Sequence, residues 1–399
     1  MNLKLKLLLF LSILLTLLLL THLTIIVHIP TKTATQPNPI ISTNQNHTSS
    51  SFPVSFAYLI SASSADLPKL KRLLLALYHP ANHYLIHLDY AAPHQEHLDL
   101  AHFVLTHPVF ARFANVWVVA KPNLVTYRGP TMLTTTLHAM AALLRTCHWD
   151  WFINLSASDY PLVTQDDLIA AFSDLPKDLN FIQHSSNLGW KLNKRAKPII
   201  VDPALYSKNK SEIWWVIKQR SLPTAFKLYT GSAWMILSRS FAEYSVVGWD
   251  NLPRILLLYY ANFVSSPEHY FQTLICNTPE YRNTTVNHDL HQITWDTPPK
   301  QHPRILALKD YNSLVQSNRP FARKFKANTL VLNKIDQELL KRSHGQFSYG
   351  GWCAEKHGGC SRVVSHDYGG LKPGPGFERL KGLLTRLLST DFFSKRQCK

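Results

Sequence analysis

From Phe56 to Leu155 the chain alternates short apolar runs with segments of helical spacing. No other feature constrains the fold as much. Phe56-Ala57-Tyr58-Leu59-Ile60 reads as a buried strand. Asp66 to Tyr78 then places Leu70, Leu73, Leu74 and Leu77 on one side of a helix. Tyr84 to Asp89 is a second strand, ending in an acid, and Leu98 to Leu105 is helical. Val116 to Val119, Thr131 to Leu144 and Trp151 to Leu155 continue as strand, helix and strand. A βαβαβαβ order predicts an α/β fold, with a mainly parallel central sheet flanked by helices. In such sheets the site lies beyond the carboxyl ends of the strands, where Asp89, Ser156 and Asp159 fall.

The N-terminus sets the compartment. Leu7 to Ile29 is almost uninterruptedly apolar. As a helix it spans roughly 30–35 Å, about the thickness of bilayer hydrocarbon. Lys4 and Lys6 precede it and only Lys32 follows closely, which keeps the short N-terminus cytosolic. A cleaved signal peptide is the other reading, but such apolar regions are typically ~7–15 residues and end at a small-residue cleavage site. The run here is longer, and no such site follows closely. The expected order is a cytosolic tail (1–6), a transmembrane helix (7–29), a Thr/Ser/Asn/Pro-rich stem (30–52), a folded domain (53–350) and a Cys/Gly-containing C-terminal tail (351–399). The chain carries a formal charge of +17. In the cytosol that charge would point to nucleic acid; in a lumen it points instead to an anionic small-molecule substrate.

The lumen also suits the sequons at Asn46, Asn209 and Asn283, whereas that at Asn154 closes an apolar run and reads as buried. Five cysteines are too few for a dense disulfide framework. Cys353 and Cys360, in a Gly-rich segment, are the candidate pair, and the odd count leaves one thiol free or joined to another chain. No Cys/His set has zinc spacing. His288 and His291 lie three apart, a spacing that chance supplies among 20 histidines.

Four downstream blocks carry the chemistry: Asn154 to Leu162, Gly231 to Arg239, Ser265 to Thr273 and Pro320 to Phe325. In this order and spacing they resemble glycosyltransferase family 14, from about Phe56 to about Cys353. That family holds the core 2/I-branching enzymes, peptide O-xylosyltransferases and a plant branch. The resemblance implies a GT-A-type nucleotide-sugar-binding fold and an inverting transfer. Inversion needs a carboxylate base for the acceptor hydroxyl and charge stabilisation for the leaving nucleotide diphosphate. Many GT-A enzymes hold a divalent metal on Asp-x-Asp; this chain contains no such triplet, so metal-independent catalysis is expected.

By resemblance, Glu268 is the base. On its own it reads sooner as an acid favoured at a helix N-terminus. The resemblance places Lys324, with Arg323 beside it, on the diphosphate, and Arg304 as a second phosphate contact. Without it, Arg323-Lys324-Phe325-Lys326 is an ordinary solvated basic run. Asp89 matches the acid that bonds the uracil ring, or else caps the next turn. Tyr127 and Arg128 belong to the loop under the donor, and Asp159, counted with them among the donor-binding residues, orients site loops. Trp234 and Trp295 are candidate acceptor platforms, although core packing is the default for any one of 10 tryptophans.

The motifs at 127–130, 155–162, 266–273, 321–325 and 350–353 are similar to those of plant β-glucuronosyltransferases acting on type II arabinogalactan. This implies UDP-glucuronic acid as donor, β-galactan side chains of arabinogalactan proteins as acceptor, and a Golgi type II membrane protein that works alongside other Golgi transferases, with no nucleic-acid partner. Lys191, Lys194 and Arg195 are available for a donor carboxylate. Two other readings remain open. One is a sister transferase using UDP-xylose or UDP-N-acetylglucosamine; the other is a catalytically silent glycan-binding scaffold.

Overall fold

The computed structural model describes residues 52–209, 212–298, 300, 302–353 and 370–398. The expected tail, anchor and Asn46 lie outside them; among the described residues no helix is long and apolar enough to cross a membrane.

The four expected strands form as β1 (Phe56–Ala62), β2 (His83–Leu88), β3 (Val116–Val118) and β4 (Trp151–Ser156). The intervening helices are α1 (Leu67–Leu77), α2 (His94–Thr106) and α3 (Thr131–Thr146). β1 pairs in parallel with both β2 and β4, in the registers Ala57↔His83 and Phe56↔Trp151. Downstream come β5 (Asp159–Pro161), β6 (Asn180–Ser185), a short hairpin of β7 (Ile199–Val201) and β8 (Trp214–Val216), β9 (Thr230–Ser238), β10 (Thr285–Val286), β11 (His291–Ile293) and β12 (Phe321–Arg323). The main sheet has seven strands in the order β10-β6-β9-β4-β1-β2-β3, and only β9 runs against the rest. The architecture is mixed α/β with a mainly parallel central sheet, and it fits a GT-A-type fold.

Alternation along β1 divides the interior into two cores. Phe56, Tyr58 and Ile60 enter one cluster, and Ala57 and Leu59 enter the other. Both faces are therefore dry, which is why the strands read as continuous apolar runs. On α1, Leu70, Leu73, Leu74 and Leu77 are all buried, as their spacing predicts.

The C-terminal region departs from the expected tail. Helix α4 (Gln165–Ser173) begins at Thr164 with a reciprocal cap to Asp167. The two acids of its first turn also reach across to the C-terminal chain. Asp166 accepts Gly351 N and Lys372 N, both at 2.7 Å, and faces His79 Nε2 at 3.3 Å; Asp167 accepts Gly374 N at 2.6 Å. Burial pushes the Asp166 carboxyl up, but the His79 and backbone N–H bonds outweigh it and hold it below the usual range. Further on, α5 (Tyr270–Asn277) carries Cys276, and α6 (Pro375–Leu388) packs on α4 with Leu380, Leu383, Leu384 and Leu387 buried. Residues 370–398 are thus part of the folded domain. Their leucine spacing was a helix signal in the sequence, obscured by the glycines before it.

A disulfide joins Cys276 to Cys398, 122 residues apart. The expected partner of buried Cys353, Cys360, lies outside the described residues. Cys147 is a free thiol, as the odd count anticipated. Closing so long a loop restricts the unfolded chain, so Cys398→Ser should lower stability by about 2–4 kcal/mol. Thermal unfolding without reductant checks this; an unchanged midpoint would show that the bond contributes nothing.

Candidate active site

Glu268 sits in a turn that the sequence shapes tightly. Ser265 has positive φ (57°), and its N–H donates to Arg128 O at 2.8 Å. The buried Ser266 hydroxyl lies 2.6 Å from Tyr260 O and 3.0 Å from Phe263 O. Pro267 then fits the first turn of a short 3-10 helix that ends at Glu268. These bonds aim the carboxylate at the loop carrying Tyr127 and at the segment following β6.

Three side chains meet it. Tyr127 OH donates to Oε1 at 2.8 Å, while Lys191 Nζ and Arg195 Nη1 reach Oε2 at 3.1 and 2.5 Å. Lys191 also donates to Thr230 Oγ1 at 2.9 Å, and that hydroxyl donates to Glu268 O at 3.2 Å. Thr230 starts β9, whose antiparallel course brings its first residue to the carboxyl edge of the parallel strands. Tyr127 is brought in by Gly129: a Cβ there would lie 1.9 Å from Asp202 Oδ2, so only glycine lets the loop approach. His269, fully buried beside the cations, is held neutral, its pKa pushed down to about 3 chiefly by burial.

Burial raises the Glu268 carboxyl, but the charges of Arg195 and Lys191 and the bonds from Arg195 and Tyr127 outweigh it. The net shift is below the ordinary glutamate range. Lys191 is lowered by burial and by Arg195, against the pull of Glu268.

A second cluster lies on the small sheet β11-β12-β5. Cross-strand register pairs Arg323 with Asp159. Asp159 Oδ2 accepts Ser156 N at 2.5 Å and Ser156 Oγ at 2.8 Å, and Arg323 Nε lies 3.5 Å from its Oδ1. Asp159 thereby shapes the turn after β4. Phe321 and Phe325 are buried on either side of Lys324, and Phe325 N donates to Ser158 O at 2.9 Å. Lys324 is half-buried, with no ion pair among the described residues.

Other expected site residues are placed differently. Trp234 is only 7% exposed, and the Arg323 guanidinium covers its ring at 3.9 Å. Its face is closed to a sugar, and it steadies the arginine instead. Trp295 is 48% exposed and remains available. Asp89 is buried, with Oδ1 accepting Ala91 N at 2.8 Å and Oδ2 accepting Val125 N at 3.1 Å. It therefore anchors the loop leading to Tyr127. Arg304 makes a two-pronged pair with Asp310 at 3.0 and 2.7 Å, so its charge is already met. Arg128 is exposed and contributes its carbonyl to the base turn. Asn209 and Asn283 are exposed; Asn154 is buried and bonded to Ala233 O and Met235 N. Among the described residues the only metal-like His/Cys/Asp/Glu group is His184-Cys276-Cys398, whose sulfurs form the disulfide.

Pairing of Lys191 and Arg195 with Glu268 was missed in the sequence. Their four-residue spacing placed them on one helical face, but nothing local shows that Glu268 faces it.

The Core-2/I-branching enzyme family model matches residues 56–315. Beta-glucuronosyltransferase GlcAT14B of Arabidopsis thaliana is 60% identical over 346 residues, 86% of this chain and 80% of the relative. GlcAT14A is 57% identical, over 87% of this chain and 78% of its own length; GlcAT14C is 47% identical, over 90% and 89%.

The electrostatics of Glu268 give a direct expectation. Its carboxyl should titrate below about 4.3, the unperturbed glutamate value. Its charge is then kept as pH falls through the ordinary range, and Arg195→Met should move the midpoint upward. Carbon-13 NMR of the labelled carboxyl reads both; a midpoint unmoved by the substitution would show that Arg195 does not hold it.

Proposed function

The chain belongs to the Core-2/I-branching enzyme family and is a glycosyltransferase, and on that premise we propose that it transfers glucuronic acid from UDP-glucuronic acid to β-galactan side chains of arabinogalactan proteins, with inversion. The observation that carries this reading is Glu268, a half-buried carboxylate at the carboxyl edge of a mainly parallel sheet, surrounded by a hydroxyl and two cations. The names of the relatives support the donor.

The step is a single displacement. Glu268 accepts the proton of the acceptor hydroxyl as that oxygen bonds to the donor C1. The bond from C1 to the β-phosphate oxygen breaks, and its electron pair leaves with UDP. Lys324, unpaired among the described residues, meets the diphosphate charge, and Arg323, braced by Asp159 and Trp234, lies next to it in the chain. With no Asp-x-Asp in the chain, this reading gives the lysine the place of a divalent ion. Trp295 offers an exposed ring to the acceptor. The GT-A-type domain works in the Golgi lumen, tethered by residues 7–29 as a type II membrane protein.

Glu268→Gln should keep the fold and lower turnover by about 10²–10⁴-fold, the usual worth of a general base. Lys324→Glu should raise the donor KM, and chelation by EDTA should leave turnover unchanged. A donor screen scoring UDP release with a β-galactan acceptor tests the substrate. Turnover with UDP-xylose or UDP-N-acetylglucosamine, and none with UDP-glucuronic acid, would overturn the donor. Full turnover in Glu268→Gln would overturn the base.

A further inference from the structure

The base is held in an unusual way for a proton acceptor. Two cations converge on one oxygen, Oε2, and neither makes another ion pair among the described residues. Their side chains are only 19% and 16% exposed. One positive charge beside the base is therefore unmatched in a largely dry place, where an unpaired charge is costly. Both heads have neutral supports besides Glu268: Lys191 bonds Thr230 Oγ1, and Arg195 lies 5.1 Å over the Trp190 ring. Among the described residues Arg195 uses only Nη1 for a hydrogen bond, which leaves donors of its fork free. The cations are thus a prepared anion site that Glu268 half fills. A carboxylate gripped in this way is a weak base, so the site needs something that relaxes the grip.

Resting on the donor and base assigned above, we propose that Lys191 and Arg195 form a carboxylate cradle, occupied by Glu268 alone when no donor is bound and entered by the C6 carboxylate of a uronic-acid donor. C6 is the substituent carbon on C5 of the same sugar whose C1 reacts, so a cation at the base is within a sugar's breadth of it. The incoming carboxylate supplies the missing negative charge and draws the guanidinium and ammonium off Oε2. Glu268 then accepts the acceptor proton more readily. A donor carrying CH₂OH at C6 leaves the base gripped. Discrimination of uronic acid from hexose thus acts on turnover as well as on binding.

The test is calorimetric binding of UDP-glucuronic acid, UDP-glucose and UDP to the full-length protein in detergent. Glu268→Gln removes the competing carboxylate and should tighten UDP-glucuronic acid by on the order of tenfold, about one charge-assisted hydrogen bond, with UDP-glucose and UDP unchanged. Arg195→Met and Lys191→Met should each weaken UDP-glucuronic acid by about tenfold, leaving UDP, UDP-glucose and the acceptor KM unchanged. Arg195→Lys should restore part of the loss. Glu268→Gln is nearly isosteric and stands as the folding-independent arm.

Equal weakening of UDP and UDP-glucuronic acid in Arg195→Met would assign the cations to the diphosphate and overturn the proposal. A raised acceptor KM alone would assign them to the acceptor and overturn it equally. If the wild-type protein prefers UDP-glucuronic acid while all the variants keep that preference, the cradle fails and the donor reading stands. If the wild-type protein ignores UDP-glucuronic acid and binds another UDP-sugar, the donor reading fails and the cradle with it.

Discussion

The constraint on which the molecule depends is the burial of β1 on both faces. Its alternate residues feed two separate cores, so helices must cover each side of the sheet. Parallel neighbours then follow, because a chain that crosses a face by a helix returns in the same direction. All carboxyl ends of the parallel strands gather at one edge. That edge carries Asp89, Ser156 and Asp159, and β9 enters there in the opposite sense with Thr230. No single loop makes the site; the sheet collects it.

Electrostatics organises what the sheet collects. Glu268 is joined to Tyr127 before α3 and to Lys191 and Arg195 after β6, parts of the chain 141, 77 and 73 residues away. A largely buried carboxylate is tolerated only when paired and hydrogen-bonded, and here it has more positive charge than it needs. The same rule governs Asp166, whose two backbone amides and facing His79 bind the C-terminal chain to α4. It also governs Asp159, which links the turn after β4 to Arg323. In each case a carboxylate inside the domain fastens a distant loop.

Local patterns were legible where the physics is local. The four leading strands and the three expected helices among those between them appear within a few residues of where periodicity put them, because burial on both faces writes continuous apolar runs and one-sided burial writes helical spacing. Glu268 was singled out through motif resemblance, and its position at the start of α5 was visible. Trp234 was misread because tryptophan composition does not say which ring face is covered, and Arg323 covers it. Asp310, six residues on, meets the Arg304 charge, a pairing that near spacing alone does not single out. The α6 leucines were present in the sequence, but a glycine-rich stretch before them suggested a loose end.

By itself, the sequence determined the element order, the family and the absence of an Asp-x-Asp triplet, all of which reside in residue type and near spacing. Tertiary structure alone decided the partners of charge. It paired Glu268 with Lys191 and Arg195, closed the Trp234 face, matched Arg304 to Asp310 and bonded Cys276 to Cys398. Such pairings join residues six to 122 positions apart. Coulomb attraction and hydrogen bonding depend on distance in space, and only the folded sheet sets that distance.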